Sequence, residues 1–436
     1  MSGPTIFKKI FVYSIGFIIR FLILKYPAVT ENLGKRVEIS TPVTAWRKAI
    51  EGVHLWKQGV DPYDSDIFHE SPLGLVAYNY LLTHYQEWIP VIFAACDVIT
   101  AVLLSLTAKI YLKKLDKQES DSKFPENANP VLLKAEDLNW VPFYVSVLYL
   151  LCPYAVLSCG GKSTVTFQNL ILSSFLLVTV SGYWLLAPVF LAILSCHTFY
   201  HMFLLVPLVM YTYQSSCGHS KMYDTFKILT IIILTFAFSI TLLKSFHDMT
   251  GSWSFLSSTY GFILSAPDLT PNIGLFWYFF TEMFEHFRIF FLWTFQLNVF
   301  IYVTPLAIRL RKEPMFLLFI YLVIITIFKS YPCIGDVALY FSLLPIWSHL
   351  FCFMRQKFII GCVLASCTLL GPTLWHLWIY SGSANANFYF GITLAFNTGQ
   401  VFLLTDLLSA FIKREYYLQN GVKYNEDGSL PVMRLQ

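Results

Sequence analysis

Apolar residues along this chain collect into long runs separated by short polar or basic breaks. A helix needs about 20 apolar residues to cross the hydrocarbon core of a bilayer. Measured against that length, the runs predict about twelve spans, at 6–26, 88–110, 138–158, 167–182, 184–199, 201–214, 225–245, 287–309, 315–331, 336–354, 358–380 and 387–412. The pair at 184–214 is short and weakly separated. No small-residue cleavage site follows the first run, which reads as an uncleaved anchor. Basic residues mark alternate ends: Lys8 and Lys9; Lys109, Lys113, Lys114 and Lys117; Arg309, Arg311 and Lys312; Arg355 and Lys357; Lys413 and Arg414. Positive charge stays on the cytosolic side, so both termini are expected there. Segments 27–87 and 246–286 then face the lumen, and 113–137 is a cytosolic loop. The expectation is a single all-α polytopic domain over 1–414, with luminal amphipathic helices and a cytosolic tail, 415–436.

Composition narrows the class. Of 436 residues, 56% are hydrophobic and only 13% charged, with a mean hydropathy of +0.59. Soluble domains carry about 25% charged residues. A soluble enzyme, a disordered chain and a nucleic-acid binder are excluded, and the net charge of +4 is explained by basic cytosolic loops. Six of the nine cysteines lie inside apolar runs, where they act as small packing residues. No C-x-x-C pair occurs, and a single bridge through Cys159 or Cys333 stays open.

Ionisable groups in or beside spans are candidates for function because burying them is costly. They are Asp97, Lys162, Glu282, Glu285, His286, Lys329, Asp336, His376 and Asp406. In 273–287, Phe276, Phe279, Phe280, Met283, Phe284 and Phe287 follow helical spacing, with Glu282, Glu285 and His286 on another face. This predicts an amphipathic helix on the luminal interface. Asn272 is expected to cap it, and Asp268 lies on its approach. The turn 381–387 is small and amide-rich, and it sits between Trp375-His-Leu-Trp378 and Phe388-Tyr-Phe390. The amides of Asn385 and Asn387, with His376, suit phosphate, ethanolamine or sugar hydroxyls. Trp375, Trp378 and Phe388 suit headgroup depth.

Three other motifs carry less. Gly160-Gly-Lys-Ser163 lacks the first glycine of a phosphate loop, since Val156 stands there. His197 and His201 are four apart, but Thr198 replaces the glutamate of a metalloprotease helix, so aromatic packing is expected. Asp64-Ser-Asp66 is a D-x-D triplet that in principle holds a divalent metal on a sugar phosphate.

Four stretches carry a family resemblance. They are Tyr260 to Phe287, with Pro267-Asp-Leu-Thr-Pro-Asn272 and Glu282-Met-Phe-Glu-His-Phe287; Phe328-Lys-Ser-Tyr-Pro332 with Gly335-Asp-Val-Ala-Leu-Tyr340; Leu374-Trp-His-Leu-Trp-Ile-Tyr380 with Gly382-Ser-Ala-Asn385 and Asn387-Phe-Tyr-Phe390; and Arg414-Glu-Tyr-Tyr-Leu418. Together they resemble the PIG-U family, the multispanning subunits of the GPI transamidase of the endoplasmic reticulum. The resemblance covers nearly the whole chain and is weakest at 113–137. It implies a non-catalytic subunit that scaffolds the complex and binds and presents the GPI lipid. It also implies a complex with the caspase-like catalytic subunit PIG-K, with PIG-T and PIG-S, and with the GPI-anchor-attachment subunit. Neither a cofactor nor a metal is implied. The implied fold is like that of GT-C mannosyltransferases, which place catalytic acids early in the first luminal loop. Here that stretch, Glu38-Ile-Ser-Thr-Pro-Val-Thr-Ala45, holds only Glu38. The alternative is an active dolichol-phosphate-mannose-dependent transferase using Asp64 and Asp66.

Overall fold

The computed structural model describes residues 3–215 and 221–422, and every regular element among them is helical. Five of the described helices are long and apolar enough to cross a bilayer: Gln86–Asp121, Met222–Thr250, Glu285–Arg309, Lys357–Ile379 and Ala386–Asn420. A bent pair, Glu126–Leu151 with Pro153–Gly160, turns by 46° and makes a sixth. Cys152 at the bend is extended and Pro153 opens the second helix. Proline lacks an N–H and drives the residue before it out of the α region, so the break follows from sequence. The chain is an all-α polytopic membrane protein. Shorter apolar helices, Val165–Ser181, Ala187–His197, Pro314–Phe328 and Ile334–Leu350, fall where four further spans are expected.

Two expectations need correction. Segment 113–137 is not all loop: the helix of the second expected span, Ile89–Asp121, continues into it, and a short 3-10 helix, Glu126–Val131, follows. The last helix likewise runs past 414 to Asn420. The reason is a long-range tie. Arg414 forms an ion pair with Glu119 and donates from Nε to the Val131 carbonyl at 3.2 Å. Glu119 also accepts the Leu133 N–H at 2.9 Å. The rest of the expected tail, 423–436, lies outside the described residues. All eight described cysteines, Cys159 and Cys333 among them, are free thiols.

Two compact units form. One gathers Ile10–Leu104 with Ser146–Ser342, the other Met1–Lys9, Ser105–Val145 and Leu343–Gln436. In the second, Lys357–Ile379 and Ala386–Asn420 pack along each other. Asp406 on the latter helix accepts the Arg355 and Gln356 N–H groups at 3.1 and 2.9 Å, fixing the start of its neighbour.

The first unit is built around Pro314–Phe328. Every residue from Pro314 to Ile327 is buried, as expected for a helix that is apolar on all faces. A polar clamp holds three other helices together. Arg20, fully buried, forms an ion pair with Asp97 and donates to the Gly16 and Leu150 carbonyls at 3.1 and 2.8 Å. The Tyr149 hydroxyl donates to the other Asp97 oxygen at 2.7 Å. Gly335, near the start of Ile334–Leu343, lies so close to Val165 that an added Cβ would stand 2.4 Å from its Cγ1. Its carbonyl accepts the Asn169 side-chain amide at 3.0 Å. Gly335→Ala is therefore expected to overpack this contact and destabilise the fold by about 1–3 kcal/mol, read as a lowered thermal midpoint of the purified protein in detergent. An unchanged midpoint would show that the helices separate freely there.

Candidate functional site

The amide-rich turn has a defined geometry. Lys357–Ile379 ends, Gly382 takes a positive φ of 63°, and Asn385 starts Ala386–Asn420. The Asn385 side-chain oxygen accepts the N–H groups of Asn387 and Phe388 at 3.1 and 3.4 Å, as an N-cap does. One carbonyl of the proposed site is thus already used, leaving the amide N–H₂. Behind it, buried Trp375 packs edge-on against Trp378 and Tyr389, with ring centroids 5.4 and 5.1 Å away. His376 stacks on Tyr380 at 5.2 Å. His376, Asn385, Asn387 and Phe388 are exposed over this aromatic knot, with Trp378 partly so. Six of the expected site residues therefore sit at one end of one helix pair.

The other expected residues lie in the other unit, and there the amphipathic helix is corrected. Phe276–Glu282 is helical, Met283 and Phe284 are extended, and Glu285–Ile301 begins afresh. The phenylalanine spacing runs straight through the break, which is why periodicity alone missed it. Phe276, Trp277 and Phe280 are buried, while Glu282, Glu285 and His286 are exposed on two different helices. Asn272 does not cap the helix. It is buried, and its side-chain oxygen accepts the Gly274 N–H at 2.7 Å, while Leu275 takes the N-cap position. Asp268 accepts the Thr270 N–H at 2.8 Å, its own N–H reaches the Tyr331 hydroxyl at 3.2 Å, and Lys48 approaches it at 4.0 Å.

The same unit holds a polar cleft that the local sequence did not announce. Its free volume is about 30 Å³, with Glu70, Gln168, Thr198, Tyr200, Lys329 and Tyr331 among its walls. A recess of about 20 Å³ shares Gln168, Thr198 and Lys329 and adds Asn169, His201 and Asp336. Chain breaks put these groups there. Thr198 is the extended residue between Ala187–His197 and the 3-10 turn Phe199–Leu204, and Lys329 is the extended residue ending Pro314–Phe328. Lys329 pairs with Asp336 at 2.6 Å, and Asp336 also accepts the Cys333 N–H at 2.9 Å.

Glu70 accepts the Tyr78 hydroxyl at 2.6 Å and the Thr164 hydroxyl at 2.8 Å. Burial pushes its carboxyl from 4.5 up to about 7, and the two hydroxyls oppose that rise. Beside it, burial lowers the His69 imidazole, whose Nδ1 donates to the Ser258 carbonyl at 2.9 Å. Because the folded chain holds the Glu70 proton more tightly than the unfolded chain, this group's stability is complete below the ordinary carboxyl range. It is lost as pH rises through about 7. Glu70→Gln is expected to remove that slope and to stabilise the protein at pH 8 by up to about 3 kcal/mol. Thermal melts of both proteins at pH 5 and pH 8 read it, and parallel pH profiles would refute it.

Lys162 takes a positive φ of 52° and is partly exposed. Asp64 and Asp66 are exposed, while Asp61 accepts the Tyr63 N–H at 2.9 Å and the Ser254 hydroxyl at 2.8 Å. Glu38 is held by Arg36 at 3.3 Å. Among the described residues, no three His, Cys, Asp or Glu side chains gather as metal ligands. His201, expected to be aromatic packing, instead lines the recess, and its Nε2 faces the Gln168 amide at 3.4 Å. Lys329 and Asp336, charged residues beside apolar runs, are the signals that pointed here.

Comparison with known proteins sorts these observations. A sequence profile described as GPI transamidase subunit PIG-U matches residues 14–396. The GPI-anchor transamidase component PIGU of Homo sapiens is 41% identical over 404 residues, covering 91% of this chain and 92% of that one. The GPI transamidase component GAB1 of Saccharomyces cerevisiae is 31% identical, with the same coverage. Its homolog in Schizosaccharomyces pombe is 28% identical over 432 residues, 98% of each chain.

Proposed function

This chain belongs to the PIG-U family of GPI transamidase subunits, and from that premise we propose that it is a non-catalytic component of the transamidase that holds and presents the GPI lipid. The relatives' names favour this reading over the transferase that would use Asp64 and Asp66. The chemistry is assigned to the caspase-like PIG-K subunit, with PIG-T, PIG-S and the GPI-anchor-attachment subunit completing the assembly. The basic clusters support an endoplasmic-reticulum orientation with both termini cytosolic.

The lipid head is assigned to the 375–390 turn. A separate assignment in the other unit takes exposed Glu282, Glu285 and His286 with half-buried Asp268 as lumen-facing contacts, and buried Asn272 as the residue whose side-chain oxygen holds the Gly274 N–H. One observation carries the assignment: exposed amides, an exposed imidazole and Phe388 stand together on a packed tryptophan base. The amides bond phosphate or hydroxyl oxygens, and the rings sit at interface depth.

The test is GPI transfer to a reporter in cells that carry only the variant chain. Asn387→Ala is expected to lower transfer several-fold while the complex still assembles. Asn385→Ala removes a cap as well, at about 1 kcal/mol, so Asn385→Ser, which restores the cap without the amide, separates the roles. Normal transfer by Asn387→Ala and Asn385→Ser in an assembled complex would sink the assignment.

A further inference from the structure

The start of Lys357–Ile379 holds more positive charge than the fold itself uses. Lys413, on the neighbouring helix Ala386–Asn420, is only 8% exposed. Its ammonium offers several donors, yet it makes a single hydrogen bond, a long one of 3.4 Å to the Phe353 carbonyl. Among the described residues no carboxylate forms an ion pair with it. Asp406 lies in electrostatic range, but its two oxygens already accept the Arg355 and Gln356 N–H groups. Covering a cation without pairing it is costly, so this charge calls for an anion from outside the chain.

Other groups converge on the same place. Arg355 lies in electrostatic range of Lys413, and Lys134, Lys357 and Arg414 lie in range of Cys352, beside the Phe353 that holds Lys413. Of these, Arg414 is matched by Glu119. Lys357 reaches the Phe351 carbonyl at 3.5 Å, and the exposed Arg355 guanidinium has no partner among the described residues. The helix start adds to the field. Gln356 stands at the N-cap of Lys357–Ile379 without a side-chain hydrogen bond, so first-turn N–H groups stay available to an anion.

The next residues say what kind of anion. Phe358 and Ile359 are 80% and 56% exposed, on a helix long and apolar enough to cross a bilayer. A soluble anion makes no use of them, whereas an acyl chain lies along them. The excess of positive charge selects a lipid of net negative charge over a zwitterionic one, whose own cation would be repelled. We propose that this basic end of the helix pair binds the phosphate of an anionic phospholipid, with Lys413, Arg355 and the first helical turn on the headgroup and Phe358 and Ile359 along a chain. The site lies at the opposite end of Lys357–Ile379 from the 375–390 turn, so either assignment survives failure of the other.

Membranes containing the intact complex are illuminated with phosphatidic acid, phosphatidylserine and phosphatidylinositol probes that carry a diazirine at the head end of one acyl chain. A phosphatidylcholine probe serves as control. At least one anionic probe is expected to label the peptide covering 355–362 at five-fold or more the yield of the control. Unlabelled anionic lipid suppresses that labelling, whereas excess glycerol phosphate, which offers the phosphate without the chains, leaves it unchanged. Lys413→Met keeps the apolar stem, removes the charge, and is expected to cut labelling at least five-fold in a complex that still co-purifies. Should Lys413→Met fail to assemble, Arg355→Gln combined with Lys357→Gln, both at exposed positions, takes its place with the same expectation. No labelling of this peptide by any anionic probe, the result if an acidic protein segment covers the site, would overturn the assignment. So would equal labelling by the phosphatidylcholine probe, suppression by glycerol phosphate, or undiminished labelling of the assembled variant.

Discussion

Asp97→Ala is expected to destabilise the protein by about 3–5 kcal/mol and to deplete it from cells. That is the measured range for breaking a buried ion pair by removing one partner. The loss comes less from the vanished attraction than from what stays behind. Arg20 is fully buried, and its guanidinium is held by the Gly16 and Leu150 carbonyls as well as by Asp97. Without the carboxylate, a charge remains in an apolar surround with only carbonyl oxygens to compensate it, and the Tyr149 hydroxyl loses its acceptor. The pair is therefore expected to behave non-additively. Arg20→Met combined with Asp97→Leu removes both charges, replaces them with packing volume, and should recover most of the loss. Thermal midpoints in detergent and steady-state abundance of the three proteins decide it. A double variant no better than Asp97→Ala would show that the clamp, and not merely neutrality, is required.

Lys329→Met is expected to cost about 3 kcal/mol, the low end of the same range, because the cleft beside Lys329 gives the abandoned Asp336 some access to polar partners. Asp336 would keep the Cys333 N–H but lose a cation at 2.6 Å. Asp336→Asn should be milder, since the amide oxygen still accepts that N–H and the Lys329 ammonium faces the cleft. The order Lys329→Met below Asp336→Asn below wild type in thermal midpoint is the prediction. A reversed order would mean that Lys329, not Asp336, is the group that depends on its partner.

Much of the fold was legible because long apolar runs leave few readings. Ile6–Lys25, Val165–Ser181 and Lys357–Ile379 begin and end within a few residues of the expected spans. What was not legible depended on distant partners. Lys113, Lys114 and Lys117 look like a solvated loop, yet Leu115 and Glu119 are buried in that same helix. Glu119 is held by Arg414, 295 positions away. Periodicity could not see the break at Met283–Phe284, because extended residues happened to continue the helical spacing of phenylalanines. The proposed headgroup residues were legible as composition, but the capping duty of Asn385 was not, since an asparagine before a helix and an asparagine facing a ligand are the same letter. The cleft was hardest to see: its walls are drawn in short pieces from residues between 43 and 339.

Pro314–Phe328 has 15 residues, all but the last buried by protein. At 1.5 Å per residue it is about 22 Å long, against a hydrocarbon core of about 30 Å. A lipid-facing span of that length would have to thin the bilayer around it. This one touches no lipid, so the matching rule that sets the length of its neighbours does not bind it. The roughly 8 Å it leaves unfilled becomes depth in which non-helical backbone and polar side chains are tolerated, because they are enclosed by protein. Lys329, Ser330 and Tyr331, all buried, follow directly on the end of the helix. Lengthening the helix by about five residues would restore a full span and erase the room.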